Sequence, residues 1–362
     1  MAKYKTYHGR SRFKWVRLAV PAFLLAGLVS ICVFAVPNYI SYDADGNMSL
    51  ELPLVGKVFT PRDPTAPPSP TGPILIVSSP QPEASGSSPS GGPEGPSPSP
   101  ARLPSAAGKL LFIPASRLSS LPAMTDLRDK ALSEGCTGVI VEYKKEGADG
   151  ETGLTIPPET AASVMEVFRD SGLELTALIS ACVDNEKPRT GEYTALAVKH
   201  TSGSNFLDRN RNRWFDMYKP EVHTLILELC READGAGFDR ILLTNLGFPY
   251  LASVDKINYG DVEGKTHMEA VNEFLTKMRA ELGDMPLDAV LFPEAARDGR
   301  EETAGQDAGA FRQAFDRLYV FDGEDGVPPG YIPILQKNDA GFQDKADAAR
   351  DGYVLYSPKG VY

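Results

Sequence analysis

Between residues 108 and 362 short apolar runs recur eight times, and most are separated by a stretch of helical periodicity. The runs are Lys109–Ile113, Gly138–Tyr143, Glu174–Ala181, Asp239–Thr244, Asp288–Phe292, Arg317–Phe321, Tyr331–Leu335 and Tyr353–Ser357. Helical patterns fall near 122–134, 159–171, 219–235, 265–282, 307–315 and 341–350, with Pro220 opening one helix and Gly235 and Gly237 closing it. Strands that alternate with helices lie parallel, and eight of them within about 250 residues fit a closed α/β barrel, the (β/α)8 or TIM-barrel architecture. Pro328-Pro329-Gly330 leaves only a loop between the sixth and seventh runs, so an incomplete barrel or an open doubly wound sheet stays as the alternative. No Gly-x-Gly-x-x-Gly follows any run, which removes the dinucleotide-binding form of that sheet.

The residues ahead of the head carry other instructions. Leu18 to Val36 is apolar except for Gly27 and Ser30, with Pro21 inside it, and nineteen residues match the hydrocarbon thickness of a bilayer. Lys3, Lys5, Arg10, Arg12, Lys14 and Arg17 precede it without an acidic residue, so the N-terminus is expected in the cytoplasm and the rest outside. A cleavable signal peptide ending at Val33-Phe34-Ala35 is the other possibility, and it exports the head equally.

The expected organisation is a basic tail over 1–17, a transmembrane signal-anchor over 18–36, a juxtamembrane hairpin over 37–59, a disordered linker over 60–107 and the barrel over 108–362. The hairpin is placed by the turn signal Asp45-Gly46-Asn47 between alternating residues. The linker is dominated by Pro, Ser and Gly, cannot bury enough apolar surface to offset its conformational entropy, and is expected to tether the head away from the bilayer. One apolar island, Ile74-Leu75-Ile76-Val77, interrupts it.

Charge narrows the partners. Without the six N-terminal bases, 31 Lys and Arg stand against 48 Asp and Glu, a formal −17 for the exported part. Such a surface repels phosphate backbones and anionic lipid headgroups, so nucleic acid is not an expected partner. Cys136, Cys182 and Cys230 are an odd set and read as buried thiols. The four histidines are scattered, no nucleophile elbow or phosphate loop occurs, and neither cofactor nor metal is expected.

In a barrel the chemistry gathers at the C-terminal ends of the strands. The polar residues there are Glu142 with Lys144 and Lys145, Asp184 with Asn185 and Glu186, Asn245, Glu294, Asp322, Gln336 with Asn338, and Lys359. Glycoside hydrolysis needs two carboxyl groups, about 5–5.5 Å apart for retention or about 6.5–9.5 Å for inversion. Glu142, Asp184 and Glu294 are the candidate catalytic carboxylates, with Lys144, Trp214, Asn245, Asp322 and Gln336 as candidate ligand contacts. Trp214 either stacks on a sugar ring or anchors its loop to the barrel.

Several segments align in order with one known family. They are Val141-Glu142-Tyr143-Lys144-Lys145, Trp214-Phe215-Asp216-Met217-Tyr218 with Pro220-Glu221-Val222, Thr244-Asn245-Leu246-Gly247-Phe248-Pro249, Ala304-Gly305-Gln306-Asp307, Tyr331-Ile332-Pro333-Ile334-Leu335-Gln336, and Asp347 through Tyr362. Together they resemble a largely uncharacterised glycoside hydrolase family of bacterial TIM-barrel domains. The resemblance implies a barrel, a carbohydrate or cell-wall polysaccharide as ligand, and attachment outside a bacterial cell.

It also exposes departures. The family pattern Asp-Tyr-x-Arg-Phe-Pro puts its acid on Thr244 and its Arg on Gly247, and the acid expected on the fifth strand meets Ala289-Val290-Leu291-Phe292. Two functions therefore stand: a membrane-anchored extracellular glycoside-hydrolase-like domain that binds a polysaccharide, with or without hydrolysing it, or a catalytically inactive module that binds carbohydrate or a protein of the envelope. A purely structural spacer is the third.

Overall fold

The computed structural model describes residues 40–42, 48–52, 56–58, 107–145, 156–189, 191–250, 254–323, 325–339 and 341–357. The expected anchor at 18–36, the turn at 43–47 and the linker lie outside the described residues. Among the described residues no helix is long and apolar enough to cross a membrane.

Eight parallel strands close into a barrel in chain order: β1 Gly108–Ile113, β2 Gly138–Lys144, β3 Glu174–Ser180, β4 Arg240–Thr244, β5 Leu287–Leu291, β6 Arg317–Phe321, β7 Ile332–Gln336 and β8 Gly352–Tyr356. The open-sheet alternative is thereby excluded. Closure occurs where β8 meets β1, with Gly352 opposite Gly108. Gly352 has φ +103°, and a Cβ there would sit 2.0 Å from the Gly108 carbonyl oxygen, so the seam admits only glycine. Around the wall pack α1 Leu121–Ser133, α2 Pro158–Phe168, α3 Pro220–Ala236, α4 His267–Leu282, the short α5 Pro293–Asp298, α6 Ala308–Ala314 and α7 Phe342–Ala348. The sixth strand returns to the seventh without a helix, as Pro328-Pro329-Gly330 demands.

Alternation along each strand sorts the core into two clusters. Leu110, Ile140, Leu242, Tyr319, Ile334 and Val354 fill the barrel interior. Leu111, Val139, Ile241, Ala289 and Val320 face outward under the helices. Helix ends follow local chemistry. Thr266 and Glu269 form a reciprocal capping box at the start of α4, and Gly237 closes α3 in the left-handed region. Cys136, Cys182 and Cys230 are buried free thiols, and burial pushes Cys182 and Cys230 up to about 12.

The floor of the barrel is ionic. Arg240 donates to both oxygens of fully buried Asp288, at 2.9 and 2.5 Å, and reaches Asp316 at 3.3 Å. Beside it Arg317 pairs with Glu174 at 2.5 Å.

Loops at the C-terminal face build a second sheet. Its order is Ile257–Asn258, Lys199–His200, Asn205–Phe206, Ile40–Tyr42, Met48–Leu52, Gly56–Val58. Ile40–Tyr42 pairs antiparallel with Met48–Leu52 and parallel with the β3–α3 loop, Ser41 opposite Asn205 and Tyr42 opposite Phe206. Residues ahead of the linker are thus part of the sheet on the barrel's upper face.

Replacing Asp288 by Ala leaves the Arg240 guanidinium buried beside a hole, and chemical denaturation should show a loss of about 3–5 kcal/mol. The double replacement Arg240→Met with Asp288→Leu should cost much less, because no unpaired charge remains inside. Equal losses from both would mean that packing, not charge, sets the floor.

Candidate functional site

The C-terminal mouth of the barrel opens into a cavity of about 560 Å³. Its walls come from the upper inward positions of the strands: Phe112, Leu178, Val290, Phe321, Ile334 and Tyr356. Polar groups join them from strand ends and from the β3–α3 loop: Glu142, Lys144, Lys145, Ser180, Thr244, Asn245, Asn210 and Asn212. Phe112 and Tyr356 approach at 4.8 Å, and Phe321 stands edge-on to Tyr356 at 5.5 Å, exposing 40% of its surface. An exposed aromatic wall beside amides and hydroxyls suits a ligand with apolar ring faces and many hydroxyls.

Among the described residues Glu142 is the one carboxylate lining the cavity. Its Oε2 accepts the backbone N–H of Ala115 at 2.8 Å, which ties the carboxyl to the β1 loop. The β2–β3 register shifts between Glu142 and Lys144, a bulge of the kind that re-aims side chains near active sites. It leaves Tyr143 outside against Phe238 and turns Lys144 inward.

Lys144 is only 1% exposed. Its Nζ donates to the carbonyls of Ser180 at 2.7 Å and Val183 at 3.0 Å, and lies 3.5 Å from Asp184 Oδ2. Two carbonyls accept from the ammonium, and the facing carboxylate balances its charge. Burial still pulls its pKa down, against the nearby Asp184 charge. Asp184 is fully buried, and its Oδ1 accepts the N–H groups of Glu186 and Lys187 at 3.0 and 2.9 Å. It stands behind Lys144 and does not line the cavity.

The β4 end is strapped from below. Asn245 takes φ +53° and donates to Ser180 Oγ at 3.1 Å, holding its amide at the mouth. Gly247 approaches the Ala304 carbonyl so closely that a Cβ would lie 2.2 Å from its oxygen. Fully buried Gln306 donates to the Leu246 carbonyl at 3.0 Å and accepts the Phe292 N–H at 2.8 Å. The Gly305-Gln306 motif is therefore a brace between the β4 and β5 loops.

Of the residues proposed from sequence, the structure brings Glu142, Lys144 and Asn245 together at the mouth. Trp214 is 4% exposed and its Nε1 donates to Asp208 Oδ2 at 2.9 Å, so it anchors the loop that carries Asn210 and Asn212. Glu294 sits in the first turn of α5, bonded toward Tyr250 and away from the cavity lining. Asp322 pairs with Lys345 at 2.5 Å beside a separate groove. Gln336 is exposed and outside the cavity. The aromatics Phe112, Phe321 and Tyr356 were missed because only polar strand ends were considered, although strand alternation places all three inward. Among the described residues no group of three or more His, Cys, Asp or Glu could hold a metal ion.

A family model described as "Putative glycosyl hydrolase domain" matches residues 138–319, half of the chain. The chain belongs to this glycosyl hydrolase-like family. The match runs from β2 through β6 and so includes Glu142, Lys144 and the β4 departure. No curated protein matches the chain. A solved protein from Ruminiclostridium thermocellum, titled hypothetical, shares 22% identity over 49% of this chain and 96% of its own, with a TM-score of 0.42. An α-galactosidase from Thermus thermophilus, solved with p-nitrophenyl α-D-galactopyranoside, shares 14% over 70% of this chain and 48% of its own, TM-score 0.44. A maltogenic α-amylase from Thermotoga neapolitana shares 10% over 64% and 59%, TM-score 0.42. The chain spans less than two thirds of either glycosidase.

Beneath the site, Asp216 is 2% exposed and burial pushes its carboxyl up to about 6, while the Tyr218 N–H bonded to it at 3.1 Å and Lys219 pull the other way. Because the folded pKa lies above the unfolded value, the stability this group allows is present below about pH 4 and is lost as pH rises through about 6. Asp216→Asn keeps the acceptor and removes the charge. Its melting temperature should therefore exceed the wild type's at pH 7.5, by the equivalent of up to about 3 kcal/mol, with the advantage gone at pH 4. An advantage equal at both pH values would contradict the assignment.

Proposed function

We propose that the barrel mouth is a carbohydrate-binding site that holds a glycan without cleaving it, in a head carried outside the cell by an anchor at residues 18–36. The carrying observation is the cavity's composition among the described residues: three aromatic side chains, a set of amides and hydroxyls, and one carboxylate. Thr244 and Val290, where the resemblance expects acids, both line the cavity and bring neither a proton nor a negative charge. A retaining or inverting hydrolase needs two carboxyls across the scissile bond, and acid–base steps each contribute about 10²–10⁴-fold. Asp184 is a poor replacement, since its oxygens are engaged by Lys144 and two backbone N–H groups.

The site remains suited to sugars. Phe321 and Tyr356 offer ring faces, Asn210, Asn212 and Asn245 offer amides, and Glu142 accepts hydroxyl protons. The second function, hydrolysis, rests on Glu142 at the mouth. It would need the substrate to supply its own nucleophile, as an acetamido sugar does.

Binding to peptidoglycan fragments and to a panel of oligosaccharides, followed by calorimetry, should identify a ligand whose affinity Phe321→Ala lowers about 5–10-fold. Reducing-end release should be absent from wild type and from Glu142→Gln alike, with acetamido sugars included in the panel. Release by the wild type that Glu142→Gln loses would establish a hydrolase and end the binding-only account.

A further inference from the structure

The cavity is layered. Alternation puts residues two apart on the same inward face, and β2, β3 and β4 each pass from hydrocarbon to a polar group in that step. Glu142 stands above Ile140, Ser180 above Leu178 and Thr244 above Leu242, and all of them line the cavity. A polar ring therefore lies over an aliphatic floor. A hexose carries hydroxyls around its whole edge, and any that reached the floor would lose water without gaining a partner. The floor suits a substituent that ends in a methyl group.

The polar ring also has a fixed polarity. The Ser180 hydroxyl donates its proton to the Val183 carbonyl at 3.0 Å, so the Asn245 atom 3.1 Å from it is the amide nitrogen. Asn245 thus turns its carbonyl oxygen, an acceptor with two lone pairs, away from Ser180. In the β3–α3 loop the opposite end of an amide is presented. Asn185 Oδ1 accepts the Arg213 backbone N–H at 2.8 Å, which leaves Asn185 Nδ2 to donate to Asn212 Oδ1 at 3.1 Å. The Asp208 carboxylate draws one N–H of the Asn212 amide, and the other is left for a ligand. Lys144 adds no donor, since its ammonium is turned to two carbonyls and Asp184. The wall thus presents an acceptor at Asn245 and a donor at Asn212 above an apolar floor.

The geometry points to an N-acetylated sugar as the ligand of this cavity, with the acetamido N–H on Asn245 Oδ1, its carbonyl on Asn212 Nδ2 and its methyl on the aliphatic floor. In an acetamido group the N–H only donates, the carbonyl only accepts and the methyl does neither. A hydroxyl can satisfy either asparagine, because it both donates and accepts, but it sends nothing to the floor. The inference rests on the reading of the mouth as a sugar site and adds the substituent that site selects. Ser180 and Asn185 are positioning residues, since each sets which end of an asparagine amide a ligand meets.

The test uses the full chain, kept in a detergent without a sugar headgroup, and ligand-observed NMR titration. The probes are methyl glycosides of glucose, galactose and mannose bearing acetamido, formamido or hydroxyl at the second carbon, with chitotetraose and cellotetraose as the matched longer pair. In at least one series the acetamido form should bind about tenfold tighter than the hydroxyl form, with the formamido form, which lacks the methyl, between them. Ser180→Ala releases the Asn245 amide, and that ratio should shrink to about twofold, whereas a structural loss alone would lower both affinities together. Hydroxyl forms that bind as tightly as acetamido forms in every series, or a ratio that Ser180→Ala leaves intact, would overturn the inference and leave the sugar site standing. Binding of another carbohydrate but of none of the acetamido probes would do the same. Binding of no carbohydrate at all would overturn the sugar site and the inference with it.

Discussion

Closure of the eight-stranded ladder is the constraint from which the rest of this structure follows. A parallel sheet with open edges leaves backbone groups unpaired, and joining β8 to β1 removes both edges at once. The seam tolerates no side chain at Gly352, so the barrel closes on bare backbone. Once closed, the period-two alternation of every strand has a fixed meaning. One set of side chains fills the interior, the other lies under the helices, and polar residues survive inside only at the two ends. The floor uses that freedom for ion pairs around Asp288, and the mouth uses it for the cavity.

The chemistry of the mouth is governed by how its charges are held. Lys144 and Asp184 form a buried pair whose hydrogen-bonding capacity is largely met by carbonyls and backbone N–H groups of the β3–α3 loop. The pair therefore shapes that loop, and through it the position of Asn212 and Asn210, more than it offers reactivity. Among the described residues Glu142 is left as the acid on the cavity wall. A catalytic pair requires two carboxyls facing one another across a substrate, and the opposite wall presents Thr244, Val290 and aromatic carbon. The same geometry that weakens a hydrolytic account strengthens a binding one, since an aromatic shelf with fixed amides needs no proton transfer to recognise a sugar.

Much of the fold was legible because strand and helix periods are local properties. The eight runs, the helix boundaries at Pro220 and Gly237 and the bare loop at Pro328-Pro329-Gly330 all express propensities carried by a few adjacent residues. The site was less legible, because which polar residues converge depends on side-chain direction and loop path. Glu142, Lys144 and Asn245 were found by their strand ends. Asp322 and Gln336 have the same kind of position yet lie outside the cavity, one tied to Lys345 and the other exposed. Glu294 was carried off by the turn into α5. Trp214 could stack or anchor on sequence grounds, and the partner that fixes it, Asp208 six residues earlier, is visible only in three dimensions. The pairing of Ser41 with Asn205 joins residues 164 apart and left no local trace.

A crystal structure of the protein with a bound oligosaccharide would test the central claim most directly. The account predicts an intact chain in the barrel mouth, with a sugar ring against Phe321 or Tyr356, asparagine amides on its hydroxyls, and Glu142 as the single carboxylate in hydrogen-bonding reach. A cleaved or covalently attached sugar, or a second carboxylate brought within about 10 Å of Glu142 across the glycosidic bond, would contradict it.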